Sequence, residues 1–162
     1  MPAPPLTPLA TAALHVGRPE RVLVVGCGRG DAALFLAREF PQARVRGVDR
    51  SEESIRKATG RIGLDPEGRV AFKTGTPKAL PYPDDFFDLV AQVDSRPVAA
   101  EIARVLRPGG YLIVAADHKP RRPFGLDPRR LGRKLGRRGF EPVEDGAAGD
   151  GSFIVGRLSA RG

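Results

Sequence analysis

Three glycines at alternate positions, Gly26, Gly28 and Gly30, stand directly after the apolar run Val22-Leu23-Val24-Val25. A backbone without Cβ atoms turns sharply and can lie close to a ligand. An acid, Asp49, follows at about the 20-residue offset at which a carboxylate grips a ribose in dinucleotide folds. Turn and offset acid together point to a nucleoside-type ligand more strongly than either does alone. A helix-capping acid beside Ser51 is the other reading of Asp49. Asp94 and His118 also stand where strands end, Asp94 as a substrate or acceptor contact and His118 as a general base. Against them stand a turn aspartate and an exposed loop histidine. Cys27 reads as a small packed residue rather than a nucleophile, and His15 has no role to argue. Two histidines and one cysteine, far apart in the chain, give no zinc-ligand spacing, so no metal is expected.

The elements that position these residues alternate. The spacing predicts a strand at 21–25, a helix from Asp31 to about Phe40, and a second strand at 43–48 ending in Asp49. Ser51 caps the next helix, with Glu52 and Glu53 in its first turn favouring the dipole, and that helix runs to about Thr59. Residues 69–73 read as a third strand. Pro77, Pro81 and Pro83 make 75–85 an irregular connection, and 86–93 is a fourth strand. Pro97 opens a helix reaching Leu106, and Pro108-Gly109-Gly110 ends it. Residues 111–116 form a fifth, apolar strand. Asp127-Pro128 starts a helix with core contacts Leu131 and Leu135 and its stop at Gly139. Residues 140–144 and 152–158 form a hairpin around the glycine-rich turn 146–151. The expected fold is α/β, a doubly wound, mostly parallel sheet with one antiparallel strand in the C-terminal hairpin. In such sheets ligands lie at the carboxyl ends of the strands.

A chain of 162 residues, 41% of them hydrophobic, suits one domain with a substantial core. The expected organisation is a proline-rich arm over residues 1–19, with a short helix at 9–15, and one domain over 20–160. No stretch reads as a membrane span and the N-terminus does not read as a signal peptide. A lone cysteine fits a reducing cytoplasm. The net charge of +8 is concentrated: nine Lys/Arg against one acid, Asp127, lie between Lys119 and Gly139. One surface should carry that charge. It is either a solvated face or the seat of an anionic partner, an acidic protein or RNA.

The spacing is Gly-x-Gly-x-Gly. The stretches Val22–Gly30, Gly47–Ser51, Ala79–Asp84 with Phe87–Val90, and Glu101–Val114 (containing Leu-Arg-Pro-Gly-Gly) resemble the successive motifs of class I S-adenosylmethionine-dependent methyltransferases of small-molecule type, the methyltransferase type 11-like domain. The resemblance covers about residues 21–158. It implies a Rossmann-like seven-stranded sheet with its last strand antiparallel between the fifth and sixth. It implies S-adenosyl-L-methionine as cofactor. Gly26, Cys27, Gly28 and Gly30 would lie at its methionine part and Asp49 at its ribose. Arg50 and Ser51 would lie near the adenosine, Gly75, Thr76 and Pro77 would flank the adenine, and Gln92 would lie under the cofactor. Leu106–Gly110 would turn a helix into the fifth strand. The chain departs from the family pattern at Val24 and Thr76, where acids are usual, and in a short link after the fourth strand.

The expected activity is methyl transfer to an unidentified acceptor. One alternative is a degenerate methyltransferase-fold cofactor binder or partner subunit without turnover. Another is an RNA-directed methyltransferase using the basic segment 119–139. The glycine spacing disfavours a third, a nicotinamide-binding oxidoreductase. A short N-terminal segment and a short fourth-strand link leave the methyl group facing solvent or a partner, so a homo- or hetero-oligomer or a macromolecular substrate is expected to close the site.

Overall fold

The computed structural model describes residues 6–116 and 128–160. Strands β1 (Arg21–Val25), β2 (Arg44–Asp49), β3 (Val70–Thr74), β4 (Phe87–Val93), β5 (Leu106–Ala116), β6 (Phe140–Ala148) and β7 (Gly151–Leu158) form one sheet in the order β3-β2-β1-β4-β5-β7-β6. Five strands run parallel, and β7 lies antiparallel to both β5 and β6. The central strand β1 is buried on both faces from Val22 to Val25, as a valine-rich run without alternation requires.

Helices cover both faces. Helices α1 (Thr7–Ala13) and α2 (Asp31–Glu39) share one apolar cluster with Val22, Val24 and Val45, and α3 (Glu52–Gly60) adds Ile55 to it. Helices α4 (Ala99–Val105) and α5 (Pro128–Arg137) close the other face through Ile102, Val105, Leu131 and Leu135. The connection 75–86 carries no helix. Arg104 holds it instead, donating to the Leu80 and Tyr82 carbonyls and to the Asp84 and Glu101 carboxylates. Glu101 Oε1 also accepts from Leu80 N–H. The bond from Arg104 holds the Glu101 carboxyl below its usual range.

Several elements differ from the sequence reading. The first helix lies at Thr7–Ala13 instead of 9–15, and its Leu9 and Ala12 are fully buried in the core. Pro97 does not enter the first turn of α4. It is buried and immediately precedes the N-cap, Val98. Strand β5 begins at Leu106 rather than Tyr111. Leu106 ends α4 with extended backbone and pairs with Phe87 across an irregularity in the β4–β5 register. Gly110 is required there, since a Cβ would lie 2.9 Å from the Arg107 carbonyl oxygen. The terminal hairpin is longer than expected, with pairing up to Ala148 and Gly151. Asp127, the expected cap of α5, lies outside the described residues. Gly139 ends that helix with a φ of +90°.

Candidate functional site

The turn after β1 has its three glycines in left-handed backbone, with φ of +67° at Gly26, +51° at Gly28 and +93° at Gly30. Other residues rarely adopt this region, so the alternate spacing is a conformational requirement. Asp49 pins the turn from the end of β2. Its Oδ2 accepts from Gly28 N–H at 2.9 Å and its Oδ1 from Ser51 N–H at 2.9 Å. Ser51 Oγ in turn accepts from Ser54 N–H and caps α3. Asp49 thus serves the start of α3 and the glycine turn at once. A carboxylate offers about four lone-pair positions, and these bonds use two.

A cavity of about 250 Å³ opens beside this turn, at the carboxyl ends of β1, β2 and β4. Val25, Val48 and Pro77 give it apolar walls; Gly26, Asp49 and Arg50 line one side and Gln92, Ser95 and Arg96 another, with Gly75 completing it. Besides a depression of about 530 Å³ lined by α4, the residues that end α5 and the end of β7, two larger depressions lie elsewhere among the described residues. One of about 740 Å³ sits at the opposite end of the strands. Its polar groups serve one another: Arg107 pairs with Asp88, which also accepts from Glu20 and Arg21 N–H. The other, about 530 Å³, lies beside α2, where Arg69 bonds to three carbonyls and Asp65 accepts from two backbone N–H groups. Those two backbone bonds hold Asp65 below its usual pKa. The smallest cavity alone of these meets the glycine turn and the strand ends where α/β sheets bind ligands.

Gln92 is the buried polar residue of this site, 2% exposed. Its Nε2 donates to Ser95 Oγ at 2.8 Å and to the Arg96 carbonyl at 3.1 Å, while its buried Oε1 has no partner. Leaving a buried acceptor unpaired is unfavourable by about 1–3 kcal/mol, which singles out the atom as one that a ligand donor would satisfy. The link after β4 folds closely over β1: a Cβ on Gly26 would lie 3.3 Å from Ser95 Oγ.

The structure gathers Gly26, Asp49, Arg50, Gly75, Pro77 and Gln92 around one cavity and leaves other expected residues outside its lining. Gly28 and Gly30 shape the turn, and Ser51 serves its helix. Thr76 Oγ1 accepts from Lys78 N–H at 3.3 Å, within its own turn. Cys27 packs beneath the turn, and burial, then the Asp49 charge, pushes its thiol up to about 12, so it stays protonated at neutral pH. Asp94 is exposed, with a φ of +58°, at the turn that follows β4. His118 lies outside the described residues. Ser95 and Arg96 were not expected as lining residues; their signal was a polar pair between an apolar strand end and Pro97. Gly47 opens the motif Gly47–Ser51, and a Cβ there would lie 2.5 Å from the Phe72 ring and 3.0 Å from Cys27 Cβ. Its bare backbone lets both pack under the turn.

A family model described as "Methyltransferase domain" matches residues 22–110, more than half of the chain. A fatty-acid O-methyltransferase of Mycolicibacterium smegmatis is 38% identical over 119 residues, covering 69% of this chain and 42% of that protein. The methyltransferase GfsG of Streptomyces halstedii is 40% identical over 112 residues, covering 63% of this chain and 39% of that protein. The chain thus spans about two fifths of the length of these curated relatives. Among solved structures, the complex of a Haloferax volcanii methyltransferase with its Trm112 activator matches with a TM-score of 0.81 at 18% identity, covering 96% of this chain and 90% of that one. A SAM-dependent methyltransferase from Aquifex aeolicus matches with a TM-score of 0.78 at 19% identity, covering 94% and 90%. These two structural likenesses speak for the fold.

Proposed function

This chain belongs to the class I S-adenosylmethionine-dependent methyltransferases, and we propose that it transfers a methyl group to an acceptor presented at the carboxyl ends of β1, β2 and β4. The observation that carries this reading is the clasp of Asp49 on Gly28 N–H at the edge of the cavity. It fixes a carboxylate with free lone pairs where the two ribose hydroxyls of the cofactor would donate. The unpartnered Oε1 of Gln92 supports the fit by offering a second acceptor on the cavity wall. The apolar walls Val25, Val48 and Pro77 suit the adenosine portion. When bound, S-adenosylmethionine supplies an activated methyl group for in-line attack by an acceptor atom. Asp49 and the glycine turn would orient the ribose, Gln92 would hold a donor group, and Val48 and Pro77 would exclude water from one side. Positioning is the protein's main task here, worth up to about 7–11 kcal/mol for well-oriented reactants.

The cavity is small for a whole cofactor, since sites for drug-sized ligands run roughly 300–1,000 Å³. Together with the short link after β4, this supports a site completed by another surface, as a second copy, a partner subunit or a large acceptor. An activator is bound to the methyltransferase of Haloferax volcanii, and a similar arrangement would supply the wall here. The same smallness favours a second reading, a cofactor-binding subunit without turnover. The lone, buried Cys27 supports a reducing, cytoplasmic setting. Among the described residues no helix is long and apolar enough to cross a membrane.

Calorimetric titration with S-adenosylhomocysteine and with NAD tests the cofactor. Binding of the first and not the second is expected, and the reverse would overturn the reading. Transfer of labelled methyl to small acceptors, with light scattering on the same sample, tests the open site. Slow turnover is expected from the isolated chain; rapid turnover by a monomer would mean that the short loops already close the pocket. Binding with no turnover on any acceptor, with or without a partner, would favour the subunit reading.

A further inference from the structure

The exposed face of α5 carries one sign of charge. Leu131 and Leu135, one turn apart, are buried at 1% and 3% exposure, so the helix has a fixed inward side. At 100° per residue the outward pole is the row Arg129, Arg133, Arg137, with Arg130 and Lys134 beside it and Arg138 at the end. All six are exposed, and no acid occurs from Pro128 to Gly139. Among the described residues no ion pair reaches Arg130, Arg133, Lys134, Arg137 or Arg138. Like charges one turn apart repel and destabilise a helix, and Gly132 and Gly136 weaken it further. The composition of this face therefore opposes the helix it sits on, and an anion docked on it would relieve the repulsion. The remaining basic residues, Lys119, Arg121 and Arg122, lie outside the described residues.

We propose that this face docks the phosphodiester backbone of duplex RNA. A membrane would need apolar side chains to enter the acyl region, and both leucines of α5 are committed to the core. A protein partner would need an apolar or aromatic centre to its interface, and the outward face has none. Single-stranded nucleic acid would need aromatic platforms for stacking, also absent from α5. Nucleic-acid interfaces are polar and strongly cationic, as this face is. Arginine dominates, and its planar fork suits phosphate oxygens. Two adjacent cation rows suit the two phosphate rows bordering the deep, narrow major groove of A-form RNA, where no side chain needs to read a base. The end of α5 leads into β6 at the side of the sheet opposite the cavity, so its first turn points toward the cavity end.

The experiment is fluorescence anisotropy of the full chain with a labelled RNA duplex, the DNA duplex of the same sequence, polyglutamate and anionic phosphatidylserine vesicles, each across a salt series. Duplex RNA should bind tightest, with log affinity falling against log salt at a slope of roughly −4 to −5 for five phosphate contacts. The triple variant R130Q/R133Q/R137Q should lose at least about tenfold in affinity at low salt and about three units of slope. R133K/R137K should stay within about threefold, since lysine still offers a positive charge to phosphate. Melting curves with and without S-adenosylhomocysteine check each variant's fold. If the triple variant melts early, R133Q alone serves, with a slope lower by about one. An unchanged triple variant or single variant overturns the proposal. So does binding of the DNA duplex, polyglutamate or the vesicles as tightly as the RNA. None of these outcomes bears on cofactor binding, which is read separately.

Discussion

Two turns leave adjacent strands at the same end of the sheet, and they are built in opposite ways. The turn after β1 is built from backbone: three glycines in left-handed conformation, closed by Cys27 N–H on the Val48 carbonyl and by Gly28 N–H on Asp49. The turn after β4 is built from side chains. One left-handed aspartate, Asp94, donates its N–H to the Ala115 carbonyl, and the Gln92 amide ties Ser95 and Arg96 back onto the strand. The first turn offers its shape to a ligand through bare backbone. The second brings side chains over the first, with Ser95 Oγ 3.3 Å from where a Gly26 Cβ would be. The first turn is a conformational device that tolerates little change, and the second is built of side chains that can be exchanged without refolding the sheet; in the proposed reading both border the cofactor's cavity.

The sharpest test of this contrast is Asp49→Ala. It removes the acceptor of two backbone N–H groups and the expected ribose contact. Affinity for S-adenosylhomocysteine should fall roughly ten- to a hundredfold, from about 1.5–3 kcal/mol of lost charged hydrogen bonding. Unchanged affinity by titration calorimetry would remove the ribose role.

Next come the glycines themselves, which should separate stability from binding. A Cβ at Gly30 would meet the Phe72 ring at 3.0 Å and Ala58 Cβ at 3.3 Å. Gly30→Ala should therefore lower stability by about 1–3 kcal/mol through overpacking, on top of backbone strain. A Cβ at Gly28 meets nothing within 4 Å, so Gly28→Ala carries the left-handed strain alone, about 1–2 kcal/mol. Melting curves should show Gly30→Ala as the less stable, while Gly28→Ala loses more cofactor affinity than its strain accounts for. The reverse pattern would make the glycine run a plain turn.

A smaller effect is expected at Gln92→Leu. The change unties Ser95 and Arg96, but it also deletes the unpaired Oε1, so the two contributions to stability offset each other. The melting temperature should move by only a few degrees, as for changes near 1 kcal/mol in a domain of this size. Affinity for S-adenosylhomocysteine should fall by about tenfold or less, the worth of one hydrogen bond. Full affinity would leave Oε1 without a ligand role.

Smallest of all should be Asp94→Gly. Glycine accepts the positive φ freely but gives up chain entropy on folding, so stability should change by less than about 1 kcal/mol. Because Asp94 is exposed and outside the cavity lining, cofactor affinity and methyl transfer should both persist. A loss of about a hundredfold in turnover with binding intact would instead give Asp94 the acid–base role at the acceptor.

What the sequence determined by itself was local. The alternation of valine-rich strands with helices, the cap at Ser51, the stop at Gly139 and the glycines after Val25 were legible because short-range sterics and side-chain periodicity dictate them. Asp49 was legible too, through its offset from the turn, and so was the antiparallel terminal hairpin. The tertiary structure decided which of these residues meet. Gly26 lines the cavity while Gly28 and Gly30 do not, Thr76 spends its hydroxyl within its own turn, and Ser95 and Arg96 enter through a fold-back that no i, i+k spacing encodes. The same holds for α1, a proline-flanked segment in the sequence and a buried helix against β5 and β7 in the fold. Gly47 makes room for Phe72, a residue 25 positions away, and Gln92 donates its nitrogen to Ser95 and Arg96 while its buried oxygen stays unpaired. Such contacts depend on how separate strands bring their ends together, and the direction of a side chain at a strand end is set by the turn that follows it, not by the residues that precede it.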